Sequence, residues 1–272
     1  LTRKARILDC GPEEFRGMDG GELLQSIRLS EGRTLMAEIL HPSPPLVDGA
    51  SNAAVAVAFG ADLVLLNKFG GEDLAGIKRS LGRPVGVNVE PSEEVEEHRR
   101  ASRENLSRLE DADFLVITAN PDARIETGDL VSAAHTARDE LPDTPLLCGK
   151  MHGSGGRGMP EASEIGTLAE GADAVLIPAP GTVPGSLESA VAELAQAVHE
   201  GGALAVAAVG TSQEGADRET VRGISLSAKR AGADVLHLGD AGLSGVAEPE
   251  NLMSASLAIR GRRHTYRRMA MR

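Results

Sequence analysis

Four phrases recur along the chain: GADLVLLN from Gly60, DADFLVITAN from Asp111, GADAVLIPAP from Gly171 and GADVLHLGDAG from Gly232. Their aspartates, Asp62, Asp113, Asp173 and Asp234, are spaced by 51, 60 and 61 residues. Each phrase is a small turn followed by a β-rich apolar run, so the period counts supersecondary units. Gly60, Gly171 and Gly232 suit the left-handed residue that ends a helix. Four more apolar runs lie between the phrases: TLMAEIL (34–40), PVGVNVEP (84–91), PLLCGKMHG (145–153) and ALAVAAVGTS (203–212). That makes eight strands.

Segments with apolar spacing near the helical period separate most of them, among them EDLAGIKRSLG, EVEEHRRASRENLSRLED, LVSAAHTARDEL, SLESAVAELAQAVHEGG and DRETVRGISLSAKRAG. Ser186 and Asp217 stand where N-caps are expected. Alternating strand and helix imply a parallel sheet with right-handed crossovers. Eight units over about 240 residues match a (β/α)8 TIM barrel, and an open doubly wound sheet is the alternative. Residues 1–32 form an N-terminal extension with one helix in GGELLQSIRLSEG, of the kind that plugs a barrel from below. No linker divides the chain, so 1–272 reads as a single barrel domain, with the last helix and a basic tail over 246–272.

Composition narrows the function. The chain has no Trp, one Tyr and four Phe, which removes the usual platform for stacking nucleic-acid bases. Its net charge of −12 repels nucleic acid and anionic membranes. No apolar run reaches the length of a membrane span, and the opening LTRKARILDCGPEEF lacks a signal-peptide core. Cys10 and Cys148 are too few for a disulfide scaffold, which favours a cytoplasmic protein. The expected partner is a small anionic substrate, in a homo-oligomer whose subunits pack without nucleic acid or membrane. The arginine-rich tail IRGRRHTYRRMAMR reads as a solvated or subunit-facing helix end.

Strand side chains alternate between barrel interior and helix layer. That parity sends Glu38 inward from the first strand, Asn67 from the second, Asn88 and Glu90 from the third, and Thr118 and Asn120 from the fourth. On the fifth strand it puts Cys148, Lys150 and His152 on the inner face. The last strand adds Asp240, with His237 joining if its register differs. These groups would meet at the C-terminal mouth, where barrels of this kind carry their sites.

The chemistry follows from the residue types. Glu38 or Glu90 can act as general base, Lys150 can stabilise an enolate, and His152 can shuttle the proton. Lys150 could instead form a Schiff base or pair with a glutamate. A nearby carboxylate raises a lysine's pKa and works against the Schiff base. In a metal-dependent alternative, a hydrolase or lyase, Mg2+ sits on Glu38, Glu90 and Asp240. Glycine-rich loops offer anion nests: GSGGRG (153–158) with Arg157, GTSQEG (210–215) with Gly210 and Thr211, and GDAGLSG (239–245) with Gly239 and Gly242. The leading expectation is an enzyme that abstracts a proton beside a carbonyl of a phosphorylated or carboxylated, sugar-derived metabolite. It would be an isomerase, epimerase or aldolase-type lyase. A non-catalytic metabolite-binding barrel is the third reading.

The stretches LDCGPEEFRGMDGGELLQSIRLSEGRT, PLVDGASNAAVAVAFGADLVLLN and IRGRRHTYRRMA resemble an uncharacterised bacterial TIM-barrel family over most of the chain. The resemblance implies the barrel and a sugar-transport context, and it transfers no catalytic residue. Some members of that family are labelled haloacid dehalogenase-like hydrolases. That chemistry needs two aspartates in a DxDx[TV] pattern after the first strand. The nearest match here, DADFL at 111–115, ends in Leu115 and precedes a strand.

Overall fold

A computed structural model describes residues 5–118, 125–149 and 159–271. Eight parallel strands close into a barrel in sequence order. They are β1 (Thr34–Leu40), β2 (Leu63–Asn67), β3 (Val85–Val89), β4 (Phe114–Thr118), β5 (Leu146–Gly149), β6 (Ala174–Pro178), β7 (Leu204–Val209) and β8 (Val235–Leu238). Two helices precede the barrel, α1 (Pro12–Arg16) and α2 (Gly20–Arg28). Around it run α3 (Asn52–Ala58), α4 (Leu74–Leu81), α5 (Arg103–Leu106), α6 (Thr127–Glu140), α7 (Ala162–Gly171), α8 (Glu188–Glu200), α9 (Arg218–Arg230) and α10 (Pro249–Ala270). No helix among the described residues is long and apolar enough to cross a membrane.

The recurring aspartates explain the repeat. Each begins an even-numbered strand and reaches back to the start of the odd strand before it. Asp62 accepts from Leu35 N, Asp113 from Val85 N and Asp173 from Leu146 N at 2.8 Å, and Asp234 accepts from Ala205 N at 2.9 Å. The aspartate's own N–H donates to that same residue's carbonyl in all four cases. Each carboxylate also holds a basic side chain. Lys78 binds Asp113 at 2.8 Å, Arg138 binds Asp173 at 2.7 Å and His199 binds Asp234 at 2.8 Å. Asp62 holds two, Arg260 at 2.5 Å and Arg268 at 2.6 Å. A backbone N–H at a strand start is an obligatory donor that must find an acceptor once buried. The four aspartates answer that need in four (βα)2 quarters.

Two apolar layers follow from strand parity. Met36, Leu63, Leu65, Phe114, Val116, Leu147, Leu176 and Val206 fill the barrel interior. Gly86 makes room there for the neighbouring aromatic ring, since a Cβ at Gly86 would lie 2.2 Å from Phe114 Cε2. Burying a Phe or Leu of this kind contributes about 1.5–3 kcal/mol. The alternate residues, such as Leu35, Val64, Val87, Ile117 and Val175, pack under the helices. Ile7, Phe15, Leu23 and Ile27 join the interior layer, so the N-terminal extension closes the end of the barrel where the strands begin.

The sequence reading needs correction at several points. In β5 it is Leu147 that packs inside, while Cys148 packs under the helices with its Sγ 3.9 Å from Leu130 O. The expected parity of that strand is therefore reversed. The charged run after β3 forms only α5 and one short turn of helix, because Arg99 and Arg100 bridge back to Glu90. Asp217 caps α9 as expected. Ser186 does not cap α8; its Oγ accepts from Gly181 N and Val183 N and organises that loop. Gly60 and Gly232 are left-handed, with φ 113° and 101°, whereas Gly171 ends α7 without a positive φ.

The basic tail is not simply a solvated helix end. Gly261, at φ 73°, breaks α10 and turns its last segment back. Arg268 then donates to Cys10 O at 2.8 Å and to Ile7 O, and Arg267 pairs with Asp9 at 2.9 Å. Arg83 and Arg268 both lie over the Phe15 ring, at 5.8 and 5.5 Å. Chain start and chain end are tied together across the barrel floor.

Candidate active site

The apolar interior layers give way to polar ones toward the C-terminal ends of the strands. Glu38 lies one inward position beyond Met36 on β1, and the β1–β8 register pairs Met36 with His237. Both side chains are buried, and Glu38 Oε2 lies 3.0 Å from His237 Nε2. The contact has ion-pair distance without the alignment of a hydrogen bond. Asn67 ends β2 and donates from Nδ2 to Asp240 Oδ2 at 3.0 Å. The Asp240 carboxyl is pushed up to about 6, first by burial and then by the Glu38 charge; the Asn67 bond and His237 act the other way.

Glu214, from the loop after β7, completes this group. It is 1% exposed, and its Oε1 accepts from Ala241 N at 3.1 Å. Burial pushes its carboxyl upward, against the hydrogen bonds it accepts. Glycine at 239 permits the approach, because a Cβ there would lie 2.5 Å from Glu214 Oε1. Glu38, His237, Glu214 and Asp240 thus influence one another across the β7, β8 and β1 side of the mouth.

On the β3 and β4 side, Thr118 Oγ1 donates to Asn88 Oδ1 at 2.8 Å. Glu90 is fully buried and receives Arg99, which also pairs with Glu96 at 2.6 Å. The remaining expected residues divide in two. Thr211 Oγ1 lies 2.6 Å from Thr182 O and from Gly210 O, Gly239 N donates to Val209 O, and Gly242 packs on the Val246–Ala247 backbone. These four shape the loops. Asn120, Lys150, His152 and Arg157 lie outside the described residues. Among the described residues, no three of His, Cys, Asp and Glu converge as a metal ligand set.

Sequence reasoning missed Glu214 and Arg99, and it held His237 only as a register alternative. The signal for His237 lay in β8 itself, where it shares a parity with Val235 against Leu236 and Leu238; the register that sets it beside inward-facing Met36 comes from the structure. Glu214 carried only a weak one, an acid inside a glycine-rich loop. A cavity of about 700 Å3 opens at the opposite end, beside α1 and α2, lined by Cys10, Glu14, Met18 and Gln25 among others. Its acids serve the helix starts: Glu14 accepts from Gly11 N, and Asp19 and Glu22 form a capping box.

Fold and site together define a closed (β/α)8 barrel with a buried cluster of carboxyls and one imidazole at its C-terminal mouth. The chain belongs to the family described as a domain of unknown function (DUF7916), whose model matches residues 8–272. No curated protein matches it in sequence. Among solved structures, a Schiff-base-forming fructose-1,6-bisphosphate aldolase is similar with a TM-score of 0.55 at 16% identity, over 87% of this chain and 98% of that one. The YdjI aldolase from Escherichia coli K12 gives 0.54 at 9% identity, over 92% and 96%. A thiamine phosphate pyrophosphorylase from Pyrococcus furiosus gives 0.52 at 14% identity, over 86% and 100%. At these identities the likeness is one of fold.

Proposed function

We propose that the protein is a barrel enzyme that moves a proton to and from a carbon beside a carbonyl of a small sugar-derived metabolite. Isomerases, epimerases and aldolase-type lyases share this step. The observation that carries the reading is the Asp240 carboxyl, pushed up to about 6 by burial next to Glu38. A general base works best when its pKa lies near the operating pH. Perturbed carboxyls at the strand ends of such a barrel favour a catalytic role. Asp240 takes the substrate proton, with one of its oxygens fixed by Asn67. The Glu38–His237 pair returns a proton to the other end of the reacting group. Lys150 and His152 are given no role here, because the inward parity expected of them is reversed in β5. The two aldolases among the fold neighbours support carbonyl chemistry on this architecture.

The test is solvent-deuterium incorporation into a panel of aldoses, ketoses and 2-keto acids, read by mass spectrometry. Wild-type protein should label at least one member. Asp240→Asn and Glu38→Gln should each slow that labelling by about 10²–10⁴-fold, the usual contribution of a general acid or base. No labelling of any member, or rates unchanged in both variants, would overturn the assignment.

A further inference from the structure

Barrels of this architecture commonly hold a substrate phosphate on backbone N–H groups of the loops after strands seven and eight, helped by the start of a short extra helix. Those loops are present here at 210–215 and 239–245, with a short helical turn at Leu243–Gly245. Five of their N–H groups are already engaged. Gln213, Gly215 and Gly239 donate to backbone carbonyls. Ala241 N donates to Glu214 Oε1 at 3.1 Å, and Leu243 N to Glu248 Oε1 at 3.4 Å. Two carboxylates of the chain itself thus accept from the loop after strand eight, and a phosphate brought beside them would meet like charge.

The Glu214 carboxylate is built in. Thr211 and Ser212 adopt left-handed backbone at φ 57° and 64°, a conformation that non-glycine residues hold only when their surroundings enforce it. Asn251 Nδ2 donates to Glu214 O at 2.9 Å and Ala216 O at 2.7 Å, clamping the loop from α10. The other oxygen, Oε2, is buried and has no hydrogen-bond partner among the described residues; the same holds for His237 Nδ1. A buried carboxylate oxygen calls for a donor. A hydroxyl can donate to it, and a phosphate dianion cannot.

We propose that Glu214 is a specificity-determining residue: its carboxylate fills the phosphate position, so the mouth accepts an unphosphorylated, hydroxyl-rich substrate. The inference rests on the acid–base reading of the same site and names the substrate class for it. It replaces the phosphorylated metabolite expected from the glycine-rich loops.

The experiment compares matched pairs, fructose with fructose 6-phosphate and ribulose with ribulose 5-phosphate, on wild type, Glu214→Ala and Glu214→Gln. Deuterium labelling and thermal stabilisation are both read. Glu214→Gln keeps the side-chain volume, so it reports on charge even if the alanine variant folds poorly. Wild type should be stabilised by the free sugars and not by their phosphates. Both variants should shift the preference toward the phosphate by about tenfold, the equivalent of about 1.4 kcal/mol. A wild-type preference for the phosphates, a preference unmoved in both variants, or no stabilisation by any sugar would overturn the proposal. Binding of free sugars without labelling would leave this selectivity standing and count against the catalytic reading alone.

Discussion

Asp240 shows how position decides chemistry at the scale of one residue. An ordinary aspartate charges near 3.8; here burial and the Glu38 charge raise that to about 6. Between those two values the folded protein keeps a proton that the unfolded chain has released. Stability contributed by the protonated form is thus complete below about pH 4 and is lost as pH climbs through about 6. Asp240→Asn removes the cost of charging and still accepts from Asn67. Its melting temperature should exceed that of wild type at pH 7, and the two should converge below about pH 4. A variant that melts no higher at pH 7 would contradict the assignment. Neither the burial nor the neighbouring charge can be read at Asp240 in the sequence, because both come from β1 and the loop after β7.

At the scale of the elements, the four aspartates were legible as a repeat, and the reason for them was not. Their spacing marks the quarters, but the N–H each one holds lies on the preceding odd strand, more than twenty residues away in sequence. The quarters are unequal in charge. Asp62 alone sits fully buried between two guanidiniums. Asp62→Ala would leave both uncompensated and should cost about 3–5 kcal/mol. Asp173→Ala leaves mainly an unpaired backbone donor beside a part-exposed Arg138 and should cost about 1–3 kcal/mol. Urea denaturation of the two variants checks the order; equal losses would show that Asp62 carries no special load. Parity was readable in β1 and β3, where polar or small residues alternate with aliphatic ones, and in β2 and β4 from the polar residue that ends each strand, Asn67 and Thr118. It failed in β5 because a strand buried on both faces is apolar at every position, and Cys148 looks no different from Leu147.

Across the whole molecule, the two ends of the barrel do different work. The end where the strands begin is closed by the N-terminal extension and by arginines returning from α10, and that end serves stability. The arginines looked solvated because the turn at Gly261 is what carries Arg267 to Asp9 and Arg268 to Asp62, where Arg268 joins Arg260 from the helix before the turn. The other end gathers Glu38, His237, Glu214, Asp240 and Asn67, drawn from four strand ends that the barrel closure makes neighbours. Closure is why Glu38 and Asn67 could be anticipated from strand parity; on β8 the inward parity belongs to His237, and Asp240 reaches the mouth from beyond the strand end. It is also why Glu214, a loop residue, escaped that argument. On the proposed function, this mouth moves protons with a carboxyl that titrates near neutrality. The pH dependence of deuterium incorporation by wild-type protein tests it most directly. The rate should rise with pH through a midpoint of about 6, the value of the Asp240 carboxyl; a rate that does not change across that range would contradict it.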